Sequence, residues 1–411
     1  MTVPFNKPYL TGNEAGYINE ALLAGKISGD GNFTKKCHSF FEERYRFKKC
    51  LLTTSCTDAL EMAALLIDVK EGDEIIMPSY TFVSTANAFV LRGATIVFCD
   101  SRHDHPNIDE QKIESLITPK TKAIVPVHYA GVACNMDVIM DIAFRHNLFV
   151  IEDAAQAIDA YYTGKDGIKR PLGSIGHLAA FSFHETKNII SGEGGMLVVN
   201  DDKFSERAEI IREKGTNRSA FCRGEVDRYG WVDTGSSFLP SDIIAAFLYG
   251  QLQCIDAIQK RRNEIWDQYY AALLPLQTEG SCAIPVNPGY SSNNGHAFYL
   301  VLDSLEQRNR IIEFLKQHGV TTVFHYLSLH RSDFYSRQEK NIPSLPESDR
   351  YTDCLLRLPL FYELQNNQVT QVCNLVKKYF KNVESHLLKV VKGVTLLATT
   401  LASQDMGVAF L

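Results

Sequence analysis

The chain reads as an α/β protein: a buried, mostly parallel sheet with helices on both faces, followed by a smaller α+β lobe. Three observations lead there. Between about residues 49 and 200, short apolar runs rich in Val, Ile and Leu alternate with longer amphipathic segments, as in strands joined by crossover helices. The short runs are continuous rather than alternating, so both faces of the sheet are covered. After Pro275 the pattern changes to two strand-like stretches and two helical ones.

In chain order, Lys49–Ser55 reads as a strand and Thr57–Ile67 as a helix, then Glu74–Pro78 as a strand and Val83–Leu91 as a helix. Ala94–Asp100, Ala123–His128 and Leu148–Asp153 are further strands, with helices at Asp109–Ile117 and Asp137–His146 between them. His177–Phe183 and Met196–Asn200 complete the sheet. Residues 202–275 are mainly helical, interrupted by the polar segment Gly215–Ser237. In the smaller lobe, residues 282–302 and 320–326 read as strands, and Ser304–His318 and Asn366–Phe380 as helices. This divides the chain into 1–250, 251–380 and an extension, 381–411, with a mildly apolar stretch at Val390–Leu401.

Composition narrows the function. The 411 residues carry a net charge of -6, with 45% hydrophobic and 22% charged residues. That is the make-up of a folded globular protein, with no basic excess to attract nucleic acid or an anionic membrane. The opening MTVPFNKPYL has no apolar core of a signal peptide, and no stretch reaches bilayer-spanning length. The ten cysteines are scattered and form no CxxC pair, so a cytoplasmic protein with reduced thiols and no metal site is expected.

In a parallel sheet, ligands bind beyond the carboxyl ends of the strands. Four segments there can carry chemistry. Asp153 and Gln156 end the fifth apolar run; a carboxylate in that crevice needs a cation or a donor to offset its burial, although taken alone an Asp here is as readily a helix N-cap. Lys187 follows a buried strand in SFHETK, flanked by Ser182 and His184, and precedes Gly192–Gly195. Most lysines are solvated, but one held in a cleft has a lowered pKa and becomes a nucleophilic amine. Thr54–Thr57, with Cys56 at its centre, places small residues at a helix N-terminus, where backbone N–H groups can hold a phosphate or simply form a capped turn. Phe82, after the second strand, can cover a planar ring or pack in the core. No GxGxxG or GxxxxGK[ST] occurs, so neither a dinucleotide site nor a P-loop is indicated. A phosphate cradle, a ring cover, an acid for a ring nitrogen and an amine for an aldehyde together fit pyridoxal 5'-phosphate (PLP), and the conjunction is far more specific than its parts.

The strings GDEIIMPSYTFVSTANA (72–88), VPVHYAG (125–131), IEDAAQA (151–157), FSFHETKN (181–188), GEGG (192–195) and REKGTNRS (212–219) resemble the DegT-type sugar-nucleotide aminotransferases, a family of fold-type-I, aspartate aminotransferase-like PLP enzymes. The likeness spans roughly residues 3–380. It implies a seven-stranded sheet, a homodimer with active sites at the interface, and glutamate with a nucleotide-linked keto sugar as substrates. It further implies that Lys187 joins the cofactor aldehyde, Asp153 binds the pyridine nitrogen, Gln156 the 3'-oxygen, and Phe82 the ring face. Ser182 and the backbone at Cys56 and Thr57 would hold the phosphate. His184, His325, Tyr326 and His330 would face the substrate. SGDGNFT (28–34), TSCTDALEMAALL (54–66) and FHYLSLH (324–330) look like the subgroup that aminates C4 of dTDP-linked 4-keto-6-deoxy sugars for bacterial surface polysaccharides.

Two positions depart from the family pattern. Cys56 stands where many members have Gly. Leu239 stands where many have an Asn that reaches the partner subunit's phosphate site, which leaves Ser236 or Ser237 as replacements. Three rival readings fit the sequence less well. Sugar dehydratases on this fold typically carry His in place of Lys187. A ligand sensor has no need of a proton-shuttling lysine. A plain α/β binding module would give no visible absorption band.

Overall fold

The computed structural model describes residues 2–338 and 341–382. The central sheet has seven strands: β1 (Lys49–Thr53), β2 (Glu74–Pro78), β3 (Thr95–Cys99), β4 (Thr121–Ile124), β5 (Phe149–Asp153), β8 (Leu178–Ser182) and β9 (Gly195–Val199), with a short ribbon, β6 (Tyr161–Thr163) and β7 (Lys169–Pro171), between β5 and β8. Their order is β1-β9-β8-β5-β4-β2-β3. Pairing is parallel from β3 to β8, and β9 runs antiparallel to both its neighbours. The expected mostly parallel, seven-stranded α/β sheet is therefore the observed one.

Alternation along each strand feeds two apolar layers. Ala179, Phe181, Met196 and Val198 enter one cluster, with the helices Asn32–Tyr45 and Met136–His146. Leu178, Ala180, Leu197 and Val199 enter the other, with Cys56–Leu66 and Val83–Val90. A third cluster gathers Ile265, Tyr269, Phe298, Leu356, Leu358 and Val376 around the pair β10 (Phe298–Val301) and β11 (Leu355–Leu358).

Several sequence expectations are corrected. The segment expected as a helix over Asp109–Ile117 is one helical turn, Glu110–Ile113, followed by a 3-10 turn. The strand expected at Ala123–His128 begins earlier and ends at Ile124, because Pro126 has no N–H to give to the ladder. Of residues 282–302, only β10 is a strand; Pro285, Pro288 and Gly289 break the stretch before it. Residues 320–326 form no strand and make only the isolated pairings Val3 with Val320 and Val323 with Arg357. Helices Glu14–Leu23, Asn32–Tyr45 and Pro346–Cys354, and strand β11, are further elements that the sequence pattern does not predict. The helix expected at the end is present over 366–382, whereas Val390–Leu401 lies outside the described residues.

Buried polar groups fasten this frame. Asp242 accepts the N–H groups of Phe33 (3.2 Å) and Thr34 (2.8 Å) and so caps a distant helix. The facing Gly31 has no Cβ, which would sit 2.3 Å from that carboxylate. Glu152 accepts the N–H groups of Gly173, Ile175 and Gly176 at 2.6–2.8 Å. It also accepts His128 Nε2–H at 2.9 Å; His128 Nδ1 is taken by the Cys134 N–H, which fixes the tautomer.

His38 Nε2 accepts the Leu52 N–H at 2.9 Å, and burial pushes its pKa down to about 3. Buried His105 is likewise pushed down to about 4. The unfolded chain thus binds more protons than the fold below the ordinary histidine value of 6.5. The stability these neutral rings confer is full above that value and is lost as pH falls toward the folded values. Thermal melts should show Tm falling from about pH 7 to pH 5, with a shallower slope in His38→Gln, whose amide does not titrate.

Candidate active site

One cavity of about 1100 Å³ opens at the carboxyl ends of the strands, large enough for a cofactor and part of a second molecule. Of the residues singled out from sequence, Cys56, Thr57, Phe82, Asp153, Gln156, Ser182, His184, Lys187, His325 and Tyr326 all line it. His330 does not. Its ring is buried, bonded through Nδ1 to Ser79 Oγ (2.7 Å), with Nε2 facing Asp349 at 3.5 Å.

Asp153 is the last residue of β5, and only 5% exposed. Its Oδ2 accepts from Thr85 Oγ1 (2.7 Å) and its Oδ1 from the Ala155 N–H (3.1 Å). Burial nonetheless dominates and raises its pKa, so a cation placed here would be strongly favoured. Thr85, held in turn by Thr81 (2.9 Å), escaped the sequence reading. Its signal was a hydroxyl four residues after Thr81 in TFVST.

Lys187 sits in the compact excursion between β8 and β9, closed by hydrogen bonds from Phe183 N to Gly194 O and from Lys187 N to His184 O, each 2.9 Å. Its amine is desolvated in the cavity, which lowers its pKa against the opposing pull of Cys56 and Asp153. Behind it, Asn188 bonds Gln259 Oε1 (2.9 Å), the Asn294 carbonyl (2.8 Å) and His296 Nδ1 (2.8 Å). That network joins segments far apart in the chain and left no local sequence signal.

The helix Cys56–Leu66 points its N-terminus into the cavity. Ser55 caps it by accepting the Asp58 N–H at 3.0 Å, leaving the first-turn N–H groups of Cys56 and Thr57 for an anion. Burial pushes the Cys56 thiol up, so it remains neutral beside such an anion. Ser182 ends β8 at the same place. Gly195, paired with Thr53 across the sheet, lies so close that a Cβ would stand 2.3 Å from Cys56 N and from the Ser55 carbonyl carbon. The mouth is formed by Phe82, 55% exposed, with Tyr326 6.1 Å away between ring centroids. His184 lies at the rim, bonded to Thr186 Oγ1 (2.9 Å). His325, kept neutral by burial, bonds Tyr129 through Nδ1 at 2.7 Å. Leu239 lies against Gly29 of its own chain.

An amine, a buried acid and a helix N-terminus around one cavity of a mostly parallel sheet define a fold-type-I PLP enzyme. The profile of the DegT/DnrJ/EryC1/StrS aminotransferase family matches residues 8–377. The chain belongs to that family and is a PLP-dependent sugar aminotransferase. It is 32% identical over 393 residues (93% of this chain, 98% of the relative) to the spore coat polysaccharide biosynthesis protein SpsC of Bacillus subtilis. Among solved structures it is similar to DesV of S. venezuelae, determined in complex with a ketimine intermediate. There the TM-score is 0.83 and the identity 28%, over 92% of this chain and 98% of that one. The fold also matches the putative sugar aminotransferase Spr1654 of Streptococcus pneumoniae (TM-score 0.85, 24% identity, 93% and 100% covered). The residues fit the cofactor: a desolvated carboxylate suits a pyridinium, and free N–H groups suit a phosphate. Among the described residues no cluster of His, Cys, Asp or Glu could hold a metal, and no helix is long and apolar enough to cross a membrane.

Adding a methyl group at Gly195 should force the Ser55–Cys56 turn off β9. Gly195→Ala is expected to cost about 1–3 kcal/mol in urea unfolding and to weaken PLP retention measured by dialysis.

Proposed function

We propose that the chain transfers the amino group of L-glutamate to C4 of dTDP-4-keto-6-deoxy-D-glucose. The products are dTDP-4-amino-4,6-dideoxy-D-galactose and 2-oxoglutarate, made for a surface polysaccharide of the enterobacterial common antigen or O-antigen type. The observation that carries the aminotransferase part of this reading is the placing of Lys187 and Asp153 on one desolvated cavity. The subgroup likeness of residues 28–34, 54–66 and 324–330 supports the sugar and its C4 regiochemistry.

When bound, PLP supplies an aldehyde that exchanges amines and a ring that takes up electrons from a carbon losing its proton. Lys187 anchors that aldehyde, then, once released, takes the proton from the donor Cα and returns one to C4 of the sugar. The face of C4 that Lys187 reaches sets the axial amine of the galacto product. Asp153, with its two hydrogen bonds, holds the proton on the ring nitrogen. Ser182 and the N–H groups of Cys56 and Thr57 bind the phosphate, Phe82 covers the ring and Gln156 faces its 3'-oxygen. His184 and His325 stand on the substrate side. The catalytic unit is a cytoplasmic homodimer, with residues 1–250 forming the cofactor-holding part, 251–380 the smaller part and 381–411 an extension.

The test is amino transfer with PLP, glutamate and dTDP-4-keto-6-deoxyglucose, wild type beside Lys187→Ala. Wild type should form product whose NMR spectrum shows an axial C4 amine. The variant should lose about 10⁴-fold in kcat or more. A wild type that gains the cofactor's visible band but leaves this sugar untouched would overturn the substrate and keep the class.

A further inference from the structure

Asp153 ends β5 and Lys187 follows its neighbour β8, but Lys187 lies well past Ser182, the last residue of β8, where the ladder with β5 no longer holds it. The segment 293–296, which leads into β10, bonds to the turns after both strands.

Asn294 is fully buried and is the hub of that contact. Its Nδ2 donates to the carbonyls of Gln156 (2.8 Å) and Ile158 (2.9 Å), and its Oδ1 accepts the His296 N–H at 3.0 Å. Its own carbonyl accepts from Asn188 Nδ2 at 2.8 Å, so it grips the residue next to Lys187. Asn188 gives its other amide proton to Gln259 Oε1 at 2.9 Å, which leaves its Oδ1 to accept the Nδ1–H of His296 at 2.8 Å. Burial keeps the His296 ring neutral. A Cβ on Gly131 (φ 77°) would stand 2.1 Å from Asn294 Oδ1, so only a bare backbone fits there. Buried Arg262 donates to the carbonyls of Gly295 (3.1 Å) and His296 (2.9 Å) and holds the end of the segment. Every polar group of Asn294 that bonds thus fixes one turn against another.

We propose that Asn294 is a positioning residue: it registers the Lys187 turn against the Asp153–Gln156 turn and so sets the reach of the Lys187 amine during proton transfer. Asn294 does not line the cavity and acts only through Lys187. The inference rests on the proton-moving role of Lys187 proposed above. A small error in that reach is costly, because proton transfer needs near-contact geometry.

The test compares full-length Asn294→Ala with wild type. In the cofactor-free protein, hydrogen–deuterium exchange of the amides in 183–194 should quicken about tenfold, with those of 56–66 unchanged. In the holoenzyme mixed with glutamate alone, loss of the cofactor's visible band should slow about 100-fold at saturation, with the half-saturating concentration in place. Deuterium at Cα of glutamate should slow the variant more than wild type, because proton transfer has become the slow step. Asn188→Ser cuts the same link from the other side and should repeat this pattern, which decides the matter if Asn294→Ala does not fold. A raised half-saturating concentration at an unchanged limiting rate would overturn the proposal and make Asn294 a shaper of the donor site. Exchange quickened evenly along the chain, with the isotope effect unmoved, would overturn it as a general stability role. A wild type whose visible band survives glutamate would overturn the proposed amino transfer itself, a result distinct from a slowed variant.

Discussion

The cavity is organised around a carboxylate taken out of water. Asp153 ends the central strand β5 with one oxygen on a backbone N–H and the other on the Thr85 hydroxyl. Two neutral donors lower its pKa but do not offset the cost of burial, which still prevails. The site is thus built to be completed by a cation, and a protonated pyridine meets that need. The amine of Lys187 has the complementary history: burial disfavours its charge and leaves it a better nucleophile.

The precision of that arrangement comes from groups that never touch a ligand. Glu152, the neighbour of Asp153 on β5, turns to the opposite face and gathers three backbone N–H groups and His128. This fixes the strand end against two loops. Asn188 anchors the Lys187 turn from behind. The C-terminal part is tied down at three points around the mouth: Tyr326 on Gln156, His330 on Ser79, and the N-terminus of Pro346–Cys354 on Asp100 through Ser348. Buried hydrogen bonds of this kind are costly to break one at a time, so they set the shape of the cavity more than its bulk stability.

The two departures from the family pattern have physical readings. Cys56 is small and burial keeps its thiol neutral, so it stands where many members have a glycine without adding charge to the proposed phosphate turn. Leu239 turns to Gly29 within its own chain, so it brings no polar group to the cavity.

The sheet was legible in the sequence because strands buried on both faces leave continuous apolar runs, and the strand ends were legible because polar residues follow them at once. Local pattern alone therefore places Asp153, Gln156, Ser182 and Lys187 at the carboxyl ends of the strands. The helix Asn32–Tyr45 was missed because Asp242, remote in the chain, completes its N-terminus. Residues 320–326 were misread because their neighbours, Val3 and Arg357, are remote in the chain. The inward turn of His330, the support of Asp153 by Thr85 and the bond from Gln156 to Tyr326 were likewise decided by tertiary structure. The sequence by itself determined the strand-to-helix turns and the residue types they carry, since periodicity and polar breaks are local properties. Which side chains meet across those turns was decided only by the folded chain, because a hydrogen bond between residues 170 positions apart leaves no local pattern.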